Sequence, residues 1–244
     1  MNNFHLGDVV QISFGNTNDI DGDINFFQKL GFKLLGRDTK PYPWANLFDG
    51  AIRVVFNQDK LDYCGLTYFA EDMSKRGETL QQLKIEFLDI DFNIGDFYQK
   101  AIAGPSKEML SIIETKINDE TMPKTNINQE VAMGHMGEFA LPVKNLDESI
   151  AFWEKLGYKV QGKYTSPYNW AILKDRNFMV VGLHETSEFD QPAITYFDKE
   201  MSTKIKNLEA LGVKTKSFGG EENKIAISPS GYRVNLFTGD LKGK

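Results

Sequence analysis

Apolar residues fill most of Gly137 to Val143, a run of strand length, and the polar triplet Asn145-Leu146-Asp147 follows it. Beyond that triplet Ile150, Phe152, Trp153 and Leu156 recur at the spacing of one helical face. Asn145 or Asp147 is the expected N-cap, and Gly157 the residue that lets the chain leave the helix after Leu156. Three strands are predicted next, Tyr158 to Tyr164, Trp170 to Lys174 and Phe178 to His184, parted by turn residues at Ser166-Pro167 and Asp175-Arg176-Asn177. The order then recurs: a strand at Ala193 to Phe197, a helix at Lys199 to Leu211 ended by Gly212, and strands near Lys214 to Phe218, Lys224 to Ile227 and Tyr232 to Thr238. This half of the chain reads as two βαβββ modules.

The other half follows the same plan. The pattern predicts a strand at Asp8 to Phe14, a polar loop from Gly15 to Asp23, a helix from Ile24 to Leu30, and strands at Phe32 to Arg37, Trp44 to Asp49 and Ile52 to Asn57. A second module has a strand at Gly65 to Phe69, a helix at Met73 to Leu83, and strands near Lys84 to Asp91, Tyr98 to Ala103 and Met109 to Ile113. The text itself repeats. Pro41-Tyr42-Pro43-Trp44-Ala45 returns as Pro167-Tyr168-Asn169-Trp170-Ala171, and Leu30-Gly31-Phe32 as Leu156-Gly157-Tyr158, both 126 positions on. Thr67-Tyr68-Phe69 matches Thr195-Tyr196-Phe197, and Pro105-Ser106 matches Pro229-Ser230. The expected organisation is two copies of one unit, residues 1–115 and 133–244, joined by the polar, non-periodic linker 116–132.

Composition narrows the functional classes. The 244 residues carry a net charge of −6, so a phosphate backbone is repelled and nucleic acid is not an expected partner. No apolar run approaches the roughly 18 residues of a membrane span, and Met1-Asn2-Asn3 lacks the basic and apolar regions of a signal peptide; a cytoplasmic, non-membrane protein is expected. Cys64 is the one cysteine, which excludes an internal disulfide, and it has no basic neighbour to activate its thiol. No glycine-rich phosphate loop opens a helix, no nucleophile elbow is present, and three histidines leave little acid–base capacity near neutral pH.

Paired βαβββ modules, with NLDESIAFWEKLGYKV in the first and ISPSGYRVNLF closing the second, resemble the vicinal oxygen chelate superfamily, which includes glyoxalase I, the bleomycin-resistance proteins and the type I extradiol dioxygenases. The resemblance covers nearly all of residues 133–240 and is fainter over 8–114. It implies an α+β fold in which each half is an incomplete eight-stranded barrel around a cavity, with helices outside. Enzymes of the superfamily take metal ligands from the first, fourth, fifth and eighth strands. Carried over, the first-strand position falls at Glu138, with Asp8 as its counterpart, and the fourth-strand position near His184, with Gln58 opposite. The fifth-strand position falls near Cys64 in one half and Pro192 or Ala193 in the other, and the last strand offers Ser111 and Asn235. Serine and asparagine are weak ligands for a first-row metal, so no metal or other cofactor is expected; one that did bind would have to use Glu138, His184 and Asn235. His5 and His135 precede the first strand of each copy and read as structural partners of a nearby acid.

The repeated aromatic block supplies the candidate binding residues. Strand alternation puts Tyr42 with Trp44, and Tyr168 with Trp170, on one side of an extended segment. Tyr68 and Tyr196 are expected to point into the same cavities, and Arg233 shares a face with Asn235, which favours the second half as the used one. The expectation is a metal-independent binder of a small aromatic or anionic molecule in the manner of the bleomycin-resistance proteins, as a monomer with a dimer as the alternative. The alternatives are a metal-dependent lyase or dioxygenase, or a scaffold without chemistry.

Overall fold

A computed structural model describes residues 4–90, 97–177, 179–218, 220 and 222–240. The first half begins with β1 (Val9–Phe14), α1 (Ile20–Lys29), β2 (Lys33–Asp38), β3 (Trp44–Phe48) and β4 (Arg53–Asn57). It continues with β5 (Cys64–Ala70), α2 (Met73–Gln82), β6 (Gln99–Ala103) and β7 (Met109–Glu114). These strands form one sheet in the order β2-β3-β4-β1-β5-β7-β6. After β8 (Glu130–Val131) the plan repeats as β9 (Gly134–Val143), α3 (Leu146–Lys155), β10 (Lys159–Tyr164), β11 (Asn169–Lys174) and β12 (Val180–Glu185). The chain ends through β13 (Ala193–Asp198), α4 (Met201–Ala210), β14 (Thr215–Ser217), β15 (Lys224–Ile227) and β16 (Arg233–Thr238). The second sheet runs β10-β11-β12-β9-β13-β16-β15-β14, with β8 paired to β9. Both sheets are open. Among the described residues no helix is long and apolar enough to cross a membrane.

Several boundaries differ from the sequence pattern for identifiable reasons. Helix α1 starts at Ile20 rather than Ile24, because the Asp19 carboxylate accepts from the Gly22 amide and caps a first turn that carries Asp21 and Asp23. Residues 20–23, which read as loop, are helix. In α3 Asn145 is the cap, accepting from the Glu148 amide. Gly31 and Gly157 leave their helices at φ +94° and +93°, a region side chains avoid. The strand expected over 84–91 reduces to a single bridge between Leu88 and Ala101, with Asp91 outside the described residues, as is Phe178 of the fourth strand of the second half. Linker residues are pinned to the first half: Arg53 Nη1 donates to the Thr121 carbonyl, the Asn126 amide to Ala51, and the Thr125 hydroxyl to Val10.

Helices cover one face of each sheet, and that face belongs to a core shared by the two halves, with Phe27 and Trp153 at its helix sides. The contacts across the shared core are reciprocal. The Tyr68 hydroxyl donates to Asp175 at 2.8 Å and meets the Tyr158 hydroxyl at 2.5 Å, while the Tyr196 hydroxyl donates to Asp49 at 2.5 Å. Asp49 and Asp175 are counterparts, as are Tyr68 and Tyr196, so each half presents its tyrosine to the other's acid. The proline turns behave alike. The Ser230 amide donates to Asp23 on α1, and Ser106 meets Ser149, the counterpart of Asp23, on α3. The other face of each sheet forms a cup.

Candidate functional site

Strand register decides what each cup presents. On β1, a strand buried on both faces, Gln11 and Ser13 interrupt the apolar run and point away from the helices, toward Thr67 on β5 and Ser111 on β7. Trp44 faces Asn57 across β3 and β4. Together with Tyr42 these side chains line a cavity of about 350 Å³ in the first half, within the size range of small-molecule sites. Its floor is a chain of hydrogen bonds: Gln11 Nε2 donates to Ser13 Oγ at 3.2 Å, and Ser13 Oγ lies 2.7 Å from Thr67 Oγ1. Its wall is aromatic, from Tyr42, Trp44, Tyr63 and Phe69. Asn57 Nδ2 donates to the Tyr63 hydroxyl at 2.9 Å, which donates to Asp59 at 2.8 Å. Burial, with the Asp59 charge added, raises the Tyr42 phenol to about 12 and pushes Tyr63 up in the same direction. Both rings are therefore neutral donors at ordinary pH. A smaller cavity of about 150 Å³ adjoins this one and shares Ser13, Tyr63, Thr67 and Ser111 with it.

The second cup is plugged. The loop between β12 and β13 drops Phe189 against Ala140 and Ala193, with Phe218 packed alongside. Its ring meets His184 edge-on at 5.5 Å and sits under the Arg233 guanidinium at 5.8 Å. Beneath it His184 Nε2 lies 3.0 Å from Glu138 Oε1, and His184 Nδ1 3.3 Å from the Tyr168 hydroxyl. Trp170 stacks on the imidazole, 5.7 Å away and within 4° of parallel. Asn235 Nδ2 donates to Thr195, and its Oδ1 is buried without a partner. Gly182 makes room for the acid–imidazole pair, since a Cβ there would stand 2.0 Å from Glu138 Oε2.

Several expectations are corrected by this geometry. Tyr68 and Tyr196 do not face the cavities: alternation on β5 and β13 sends Thr67 and Thr195 into the cups and the tyrosines into the shared core, fully buried. The counterpart of Glu138 is Gln11, not Asp8, because Thr67 pairs with Gln11 and Thr195 with Glu138, a shift in β9 absorbing the extra residue. Asp8 instead binds Arg76 and His5 outside the cup. His184 corresponds to Asn57, not Gln58, since each faces the tryptophan of its own half. The larger cavity described above lies in the first half, whereas the sequence favoured the second half as the one used. Of the remaining expectations, Tyr42 and Trp44 line the open cup, and Tyr168, Trp170, Arg233 and Asn235 surround the plugged one. Burial pushes the Cys64 thiol up, so it is inert as expected. Gln11, Ser13, Asp59, Tyr63 and Phe189 went unnoticed in the sequence, although two polar residues inside VVQISF are a readable sign of a wetted face.

The same register places the superfamily's metal positions. Thr195, not Pro192 or Ala193, stands opposite Glu138 and beside Asn235, and Thr67, not Cys64, stands between Gln11 and Ser111. The first half therefore offers Gln, Asn, Thr and Ser. The second offers Glu138 and His184, which bind each other, with threonine and an amide at the remaining places. Neither set suits a first-row divalent ion, which exchanges its water only for several strong donors. Among the described residues no three His, Cys, Asp or Glu side chains converge.

No family model and no curated protein matches the sequence. Solved structures do match. A catechol 2,3-dioxygenase shares 12% identity over 97% of this chain and 89% of its own, with a TM-score of 0.62. The 2,2',3-trihydroxybiphenyl 1,2-dioxygenase of Sphingomonas wittichii shares 14% over 98% and 93%, with a TM-score of 0.64. The 2,3-dioxygenase LapB of Pseudomonas sp. KL28 shares 17% over 96% and 92%, with a TM-score of 0.61. The chain thus has the two-sheet α+β fold of the extradiol dioxygenases, and the resemblance to the vicinal oxygen chelate superfamily holds at the level of fold.

Proposed function

We propose that this protein binds a small aromatic molecule in the cup of its first half, without a metal. The reading rests on one observation: the cup that stays open pairs an aromatic wall with a hydroxyl and amide floor, at positions where a metal enzyme needs strong ligands. Rings stack on Tyr42 and Trp44, and polar substituents exchange hydrogen bonds with Gln11, Ser13 and Thr67. The chain acts as a monomer, each half filling the place of a partner for the other. Titration calorimetry against a set of small aromatic compounds tests the proposal. A hit whose affinity falls about tenfold or more in Trp44→Ala supports it; a set without hits, or hits indifferent to Trp44, overturns it.

One observation favours a second reading. The structural neighbours are dioxygenases, and Asn235 Oδ1 is an unpaired buried acceptor near Glu138 and His184. A metal-dependent lyase or dioxygenase would have to use those three residues. Elemental analysis separates the readings: one transition-metal ion per chain, lost in Glu138→Gln, would establish the second.

A further inference from the structure

We infer that the ligand of the first cup is a cation, a protonated or quaternary amine on an aromatic or apolar body, with its charge at the Asp59 end among Tyr42, Trp44 and Tyr63. This rests on the binding reading above and adds the ligand's charge. The two adjoining cavities are lined by the carboxylates Asp59, Asp62 and Glu114, and among the described residues no lysine, arginine or histidine lines either. Glu114 is already held by the Ser74 amide and hydroxyl. Asp59 is different. It accepts from the amides of Asn16 and Leu61 and from the Tyr63 hydroxyl, which fix its orientation, and among the described residues no cation pairs with it. Lys60, its neighbour in sequence, is exposed.

Fixed negative charge beside aromatic faces is the arrangement that recognises an ammonium group, because the ring quadrupole adds to the Coulomb attraction where water is scarce. The one buried cation of this half does not cancel it. Arg53 lies four residues from Asn57 along β4, roughly 13 Å at 3.3 Å per residue, where its guanidinium packs 5.1 Å from the Phe69 centroid and donates to the Thr121 carbonyl. An anion entering the cup would meet carboxylates and no counter-charge at the Asp59 end.

Three probes of matched size test the charge: 2-phenylethylammonium, 2-phenylethanol and phenylacetate, each titrated calorimetrically into the full chain near pH 7. The expected order is cation, alcohol, anion, with the cation about tenfold tighter than the alcohol. Asp59→Asn keeps an oxygen for the Asn16 and Leu61 amides but no longer accepts from the Tyr63 hydroxyl, so the readout is the ratio: the cation's advantage over the alcohol should fall to within about twofold, whatever happens to both affinities. Equal binding of cation and alcohol, or tightest binding of phenylacetate, overturns the inference while leaving the binding reading intact. Binding of none of the three at about 10 mM overturns both. The wild-type series decides the matter even if the variant fails to fold.

Discussion

Asp175 is the group whose replacement should reveal the energetics of the shared core. It is half-buried in the turn between β11 and β12, accepts from the Met179 amide at 2.7 Å and the Tyr68 hydroxyl at 2.8 Å, and has its carboxyl raised from 3.8 to about 6 by desolvation, which outweighs those hydrogen bonds. Because the folded-state value lies above the unfolded one, the folded protein holds the proton more tightly between pH 3.8 and 6. Stability from this group therefore falls as pH rises through that window, and the cost is complete once both states are ionised. A displacement of this size corresponds to about 3 kcal/mol. Asp175→Asn retains an acceptor for Met179 and offers Nδ2 to the Tyr68 oxygen, but carries no charge to desolvate. Urea unfolding at pH 4 and pH 8 measures the difference. The gap between variant and wild type should shift by about 2 to 3 kcal/mol in favour of the variant at the higher pH, whatever its fixed cost at pH 4. Asp23 and Asp49, also raised mainly by burial, tilt both proteins in the same direction and cancel in the comparison. A gap that is the same at the two pH values would refute the assignment of a raised carboxyl to Asp175.

Two other substitutions test the packing. Phe189→Ala should cost about 3 kcal/mol, measured by urea unfolding, and open the second cup to aromatic compounds that the wild type admits only in the first. Gly65→Ala places a Cβ 2.0 Å from the Met109 carbonyl oxygen, which belongs to the strand paired with β5; folded protein should drop sharply in yield and thermal midpoint, and an unchanged midpoint would contradict the register.

The duplication, the helix faces and the glycine stops were legible in the sequence because each depends on spacing within one element. Leu30-Gly31 and Leu156-Gly157 announce themselves from either copy. Which residues face the cups was less legible, since strand alternation reverses with a single inserted residue. The shift in β9 moves Glu138 opposite Thr195, and it hides the match between Gln11 and Glu138 from a constant offset. Tyr68 and Tyr196 were misdirected because alternation alone does not say which face of a strand lies inward: their strand neighbours, the threonines, take those positions. Phe189 left no trace because a loop residue that folds back over a sheet belongs to no periodic pattern. The aromatic pair Tyr42 and Trp44 was readable, yet whether the cup behind it stood open depended on residues far away in the chain.

The tyrosine of each half clasping the acid of the other describes a two-fold relation between copies that need not be identical. In an assembly of two identical chains, a substitution that fills one cup fills its twin as well. Joining the copies in a single polypeptide removes that constraint. Phe189 can close one cup, and trade its interior for rigidity, while the other stays open to solvent and to selection for a ligand. Asymmetry of this kind is closed to a pair of identical chains.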